Sequence, residues 1–145
     1  MKNSPHEKFL KKTRDLVGAI YRLTATFPED DASVMTGELR DTVLNLECRI
    51  EEALRRNPTR RGHPTPIEVA QGKLMRLSSG LHLGKGIKYI DAKTYKDLIA
   101  KLEDIQGEID RFIGPRAVAA RERRWERLLK IDAEIAAEVE AGKKN

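Results

Sequence analysis

Apolar residues recur every three or four positions over most of the chain, which is the spacing of an amphipathic helix. In the first segment they are Phe9, Thr13, Leu16, Ile20, Leu23 and Phe27. Ser4-Pro5 followed by Glu7 predicts the start of this helix, and Phe27-Pro28 predicts its end. A second segment, with Asp31 or Ser33 as candidate N-cap, runs to about Arg56. Its apolar positions are Leu39, Val43, Leu46, Ile50 and Ala53.

Two further segments have the same spacing. Thr65-Pro66 with Glu68 predicts the start of the third, whose buried face comprises Ile67, Ala70, Leu74, Leu77 and Leu81. Its glycines 72, 80, 84 and 86 are unusual in a helix, so either they allow close helix approach or the helix frays near Gly84. The fourth segment begins after Asp91 and ends at Gly114-Pro115. Its apolar positions are Tyr95, Leu98, Leu102, Ile105, Ile109 and Phe112.

The fifth segment, Arg116 to about Ala141, is more charged and has a weaker apolar pattern. That pattern comprises Val118, Trp125, Leu128, Ile135 and Val139, with Asp132 at a position that should be apolar. It predicts a helix that projects from the domain or docks on a partner. The fold predicted from all five segments is therefore all-α. Residues 1–114 form an up-and-down four-helix bundle and residues 115–145 a charged C-terminal helical extension.

Composition narrows the class of protein without identifying catalytic chemistry. No apolar run approaches the ~20 residues of a membrane-spanning helix, and the single cysteine, Cys48, fits a reducing cytoplasm. We interpret Cys48 as a buried structural residue in preference to a reactive thiol. His6, His63 and His82 lack metal-site spacing, although His82 could be a core or interface residue. We expect a cytoplasmic protein that is not an enzyme and has no cofactor or metal.

Charge layout is more informative than composition. The net charge is +5, and the segment from Arg116 to Lys130 holds six cations and two acids. The loop of residues 55–66 contains four arginines and no acid. Such segregation is typical of proteins that bind a phosphate backbone, although a solvated helix face is the simpler alternative. The predicted phosphate contacts are Arg55, Arg56, Arg60, Arg61, Lys85, Lys88, Arg121, Arg123, Arg124 and Arg127. Trp125 either stacks on a base or, as we prefer, anchors its helix to a neighbour.

Two stretches resemble the "four helix bundle protein" family. They are YRLTATFP (residues 21–28), followed by acids and then Glu38-Leu39-Arg40, and LHLGKGIKYIDAKTYKDLIAKLEDIQGEIDRFI (residues 81–113). The family includes proteins encoded in 23S ribosomal RNA intervening sequences and the accessory variability determinant of diversity-generating retroelements. The intervening-sequence proteins carry an Asn-Ile-Ala-Glu-Gly-like motif where this chain has Arg49-Ile50-Glu51-Glu52-Ala53. That departure favours the retroelement branch, which also lacks the motif.

The resemblance implies a homopentameric ring with a basic surface. It implies further that the chain binds RNA and a reverse transcriptase as a non-catalytic accessory of reverse transcription. An arginine contacts RNA and DNA phosphates alike, so DNA remains an alternative ligand. The alternative function is a homo-oligomeric protein-interaction scaffold without a nucleic-acid role, and an enzyme using His82 or Cys48 is a distant third.

Overall fold

The computed structural model describes residues 4–55 and 65–143. Within these ranges every regular element is a helix: α1 (Pro5–Thr24), α2 (Ser33–Arg55), α3 (Pro66–Gly86), α4 (Ala92–Ile113) and α5 (Pro115–Lys143). The all-helical class predicted from the apolar spacing is confirmed. None of the helices in these ranges combines the length and the apolarity that crossing a membrane requires.

Local side chains define several helix starts. Ser4 Oγ accepts a 3.1 Å hydrogen bond from the Glu7 N–H, and the Glu7 carboxylate accepts one from the Ser4 N–H. Thr65 and Glu68 form the same reciprocal capping box at α3. At α4, Asp91 Oδ1 accepts a 2.7 Å bond from the Thr94 N–H, which lowers the pKa of the Asp91 carboxyl. The capping signals at positions 4, 65 and 91 were therefore readable from the sequence.

Helix α1 ends three residues earlier than Phe27-Pro28 predicts. Its last residue is Thr24, whose Oγ1 donates to the Ile20 carbonyl at 2.8 Å. Thr26 Oγ1 donates to the Leu23 carbonyl at 2.6 Å, so two threonines compete for the carbonyls of the last turn. Phe27 remains buried beyond the helix end. Phe27 is therefore buried by the packing of the turn that follows α1, and not because the helix continues to it.

Helices α1 to α4 each contribute a buried apolar face. Helix α1 packs on α2, and α2 packs on α3. Every apolar position predicted for the first three segments is buried, as are Leu98, Leu102, Ile105 and Ile109 of α4. The chain divides into two compact units with a boundary between Ile109 and Asp110. Unit 1 therefore holds this helical core, and unit 2 begins in the last turn of α4.

An ion-pair cluster joins the first and fourth helices of unit 1. Lys12 Nζ lies 2.8 Å from Glu108 Oε1 and 3.1 Å from Asp104 Oδ1. The Glu108 side chain is only 12% exposed, so its carboxylate is largely removed from water. The hydrogen bonds to Glu108 and Asp104 raise the pKa of Lys12, because they stabilise the ammonium form.

Two of the α3 glycines, Gly80 and Gly84, lie where a neighbouring side chain leaves too little room for a Cβ atom. A Cβ on Gly80 would lie 2.8 Å from Leu39 Cδ2 of α2. A Cβ on Gly84 would lie 2.7 Å from Ile90 Cδ1 and 3.1 Å from Ile90 Cγ1. Among the described residues, a Cβ on Gly72 or Gly86 would meet no atom within 4 Å beyond its own stretch of helix. Of the two alternatives left open by the sequence, close approach applies at Gly80 and Gly84, and α3 continues to Gly86.

Three residues are more exposed than predicted. Cys48 is an exposed free thiol, so its interpretation as a buried structural residue is wrong. Cys48 lies two positions from each of the core residues Leu46 and Ile50. Because two residues correspond to a rotation of about 200° around the helix axis, the Cys48 side chain points away from the core. Phe112, which the α4 pattern places in the core, is 41% exposed, and Tyr95 at the other end of α4 is half-buried. The core of α4 ends at Ile109.

The glycine contacts predict opposite effects of one substitution at two positions. Gly72→Ala should raise the free energy of unfolding by up to about 1 kcal/mol, because alanine favours the helix and meets no neighbour. Gly84→Ala should instead lower it by about 1–3 kcal/mol, since the new methyl group overlaps the buried Ile90 side chain. Urea unfolding measures both values. Equal stabilisation by the two variants would contradict the close approach at Gly84.

The Lys12 cluster predicts a loss of stability in alkali. The folded-state pKa of Lys12 lies above its usual value, so its contribution is complete below pH 10 to 11 and is lost as the pH rises through the folded-state value. Melting temperatures from pH 8 to 11.5 should fall more steeply for the wild type than for Lys12→Met. Lys11→Met, which removes the same charge from an exposed neighbouring position, is the control and should follow the wild type.

Candidate nucleic-acid interface

Helix α5 begins at a defined break. Gly114 has a φ of +86°, a conformation that glycine adopts without steric cost, and its N–H donates to the Asp110 carbonyl at 3.0 Å. Pro115 then occupies the first position of α5, where no backbone N–H is needed. The Val118 N–H donates to the Gly114 carbonyl at 3.1 Å and completes the first turn. Glycine and proline therefore end one helix and start the next within two residues.

Four cations share one side of α5. They are Arg116, Arg123, Arg127 and Lys130, separated by steps of seven, four and three residues, and we call them the α5 basic face. All four side chains are exposed. Arg123, Arg127 and Lys130 line one open depression together with Glu126. At 1.5 Å per residue this face extends about 21 Å along the helix.

The members of the α5 basic face form no ion pair with any residue in the described ranges. Their charge is therefore available to an anionic ligand. Because the side chains are exposed and flexible, they would contact phosphates as individual charges on a common line, and not as an enclosed pocket. Such an arrangement suits an extended polyanion better than a small anionic metabolite.

Two other predicted contacts on α5 are placed differently. Arg121 Nη1 lies 2.6 Å from Asp110 Oδ1, and its side chain is 25% exposed. This hydrogen bond raises the pKa of Arg121, because the carboxylate stabilises the guanidinium charge. Arg121 thus ties α5 to the last turn of α4 within unit 2. Arg124 is exposed and lies about 60° around the helix from Arg127 and about 100° from Arg123, at the edge of the α5 basic face.

The described predicted contacts of unit 1 lie at the C-terminal ends of α2 and α3. Arg55 Nη2 lies 2.5 Å from Glu51 Oε1 at the end of α2, and the Arg55 side chain is 76% exposed. Lys85 Nζ lies 4.6 Å from the centre of the Tyr95 ring, a cation–π contact. Lys88 lies in the turn between α3 and α4, where its backbone φ is +69° and its side chain is exposed. Arg56, Arg60 and Arg61, together with His63, lie outside the described residues.

Two members of the α5 basic face are not among the phosphate contacts predicted from the sequence. Arg116 and Lys130 counted toward the charge of this segment but were not selected as contacts. Their spacing relative to Arg123 and Arg127 was the available signal, since steps of three, four and seven identify one helix face. Selection by local density of arginines instead favoured Arg121 and Arg124. Helical periodicity applied to charges, as well as to apolar residues, would have found the face.

His82 is exposed, and its Nδ1 lies 3.5 Å from the Tyr95 hydroxyl; exposure excludes the core position considered for it. Across residues 4–55 and 65–143, no three His, Cys, Asp or Glu side chains are grouped as a metal site requires.

Comparisons with protein-family models and with curated proteins found no match to this chain.

Proposed function

We propose that this chain is a non-catalytic RNA-binding accessory protein and that the α5 basic face contacts the phosphates of a structured RNA. The observation that carries the proposal is the set of four exposed cations on one line without ion-pair partners among the described residues. Nearby acids usually neutralise basic residues on a solvated helix, as Glu51 does for Arg55 in α2. The α5 basic face lacks such neutralisation over most of its length.

The resemblance to the four-helix bundle protein family extends this proposal. It supports an up-and-down arrangement of α1 to α4 and a homo-oligomer, with a pentameric ring as the family's form. It also supports a reverse transcriptase as the protein partner, in the cytoplasm, with the partner performing the chemistry. Arg55, Arg56, Arg60, Arg61, Lys85 and Lys88 would be a second set of phosphate contacts on unit 1. Arg121 and Arg124 are the remaining predicted contacts on α5.

A protein-interaction scaffold without a nucleic-acid role is the second candidate. The apolar residues of α5 favour it: Trp125, Leu128, Leu129, Ile131, Ile135 and Val139 are each 45–62% exposed. Exposed apolar residues on one helix are typical of surfaces that bind another protein. A scaffold that binds protein through these apolar residues does not need the α5 basic face. Substituting the cations of that face should therefore weaken RNA binding and leave protein binding unchanged, which distinguishes the two functions.

The test is RNA binding by the full chain across a salt titration. Arg123→Gln/Arg127→Gln should weaken binding to a structured RNA roughly 10- to 30-fold near 0.1 M salt. The slope of log affinity against log salt should become shallower by about 1.5, or about 0.7–0.9 per lost contact. Fluorescence anisotropy with a labelled hairpin RNA measures both quantities. Arg60→Ala/Arg61→Ala tests the basic loop in the same way.

The matched control is Arg14→Gln/Arg22→Gln, which removes two exposed arginines from α1 and changes the net charge equally. It should leave affinity and slope close to those of the wild type. Equal losses from both double variants would indicate nonspecific attraction to net charge. A wild-type protein that does not bind RNA at low salt would overturn the proposal and favour the scaffold.

A further inference from the structure

We infer that α5 pairs antiparallel with α5 of a second copy of this chain. The surface concerned comprises Trp125, Leu128, Leu129, Ile131, Ile135 and Val139, which we call the α5 apolar stripe. Steps of three or four residues link Trp125 to Leu128, Ile131, Ile135 and Val139 in turn, and Trp125 also to Leu129, so the six residues form one broad apolar side of the helix. None of the residues of α5 is buried, and the stripe is uncovered in the single chain. Covering it would remove six large apolar side chains from water.

Most of the stripe lies on the opposite side of the helix from the α5 basic face, and Ile131, four residues after Arg127, lies at the edge of the stripe. Arg123 precedes Trp125 by two residues, and Arg127 precedes Leu129 by two. Two residues correspond to a rotation of about 200° in an α-helix. A second copy that covers the stripe therefore leaves the four cations in water. Self-association through the stripe and RNA binding through the basic face are independent properties of α5, and failure of one leaves the other intact.

Charge complementarity identifies the occupant of the stripe as another α5 and fixes its direction. Residues 115–130 carry six cations and two acids, a net charge of +4. Residues 131–143 carry four acids and one lysine, a net charge of −3. Parallel pairing would place like charges together, whereas antiparallel pairing places each basic half beside an acidic half. Apart from Asp132, which lies within the stripe and would meet Asp132 of the other copy near the middle of the pair, an α5 helix is thus complementary to a reversed copy of itself.

The register follows from the same residues. The stripe extends from Trp125 to Val139, so a two-fold axis must lie near its centre for the two stripes to cover each other fully. Arg124, Ile131 and Glu138 are seven residues apart and lie on one line at the edge of the stripe. An axis at Ile131 brings Arg124 of each copy opposite Glu138 of the other. Neither residue forms an ion pair with a described residue of its own chain.

The first experiment measures the mass of the full chain by sedimentation equilibrium at low ionic strength. The wild type should contain an even number of chains, because the contact is two-fold; rings of five chains, as in the proposed function, would pair into an assembly of ten. Ile131→Glu places two carboxylates together at the axis and should halve the mass, or raise the dissociation constant at least about tenfold. Val34→Glu, the same change at a residue of α2 that is 79% exposed, is the control and should retain the wild-type mass. Circular dichroism checks that both variants remain helical.

The second experiment tests direction by charge exchange. Arg124→Glu and Glu138→Arg should each weaken association roughly 4- to 30-fold, because each creates two like-charge contacts per pair. The double variant Arg124→Glu/Glu138→Arg should return to within about twofold of the wild type. The two positions are 14 residues apart, too far to interact within one helix.

Three outcomes would overturn the inference. They are a wild-type monomer, an odd number of chains, and a mass that Ile131→Glu does not change. Additive weakening in the double variant would contradict the antiparallel register. None of these outcomes bears on the RNA titration, since Arg123 and Arg127 are unchanged throughout.

Discussion

The fold depends on one constraint: an amphipathic helix must cover its apolar side. Helices α1 to α4 meet it within the chain, with residues such as Leu16, Val43, Leu77 and Ile109 almost wholly removed from water. Helix α5 has a comparable row of large apolar residues, yet none of them is buried. The same physical requirement therefore explains a stable unit 1 and predicts an intermolecular role for unit 2.

Electrostatics in the two units serve different purposes. In unit 1, Lys12 lies between Asp104 and Glu108, and its charge is matched by carboxylates that lose part of their hydration. In unit 2, Arg121 is paired with Asp110, while the arginines on the far side of α5 are left without such partners. In the proposed function the unpaired cations are those that contact the ligand, so ion pairing distinguishes the two groups of basic residues more clearly than their density along the chain.

Helix α5 carries two different surfaces on one helix. A side of cations suits a polyanion, and a side of apolar residues suits another helix. The reversal of charge between its two halves adds a direction to the second surface. The proposed role, in which an accessory protein joins an RNA to a protein assembly, requires such a division, and both surfaces lie within the 29 residues of α5.

The sequence by itself determined the helices and most of the core. Apolar spacing identified all five segments, and capping residues such as Ser4, Thr65 and Asp91 located three starts, because both signals act over a few neighbouring residues. It could not assign Phe112 or the end of α1, since these depend on what packs nearby or competes for a carbonyl. The exposure of Cys48 followed from its offset to Leu46 and Ile50, although the prediction missed it. The tertiary structure alone decided which glycines of α3 meet a neighbour and which arginine of α5 is paired. Those facts depend on distances across a turn or between helices, and the periodicity within one helix carries no information about them.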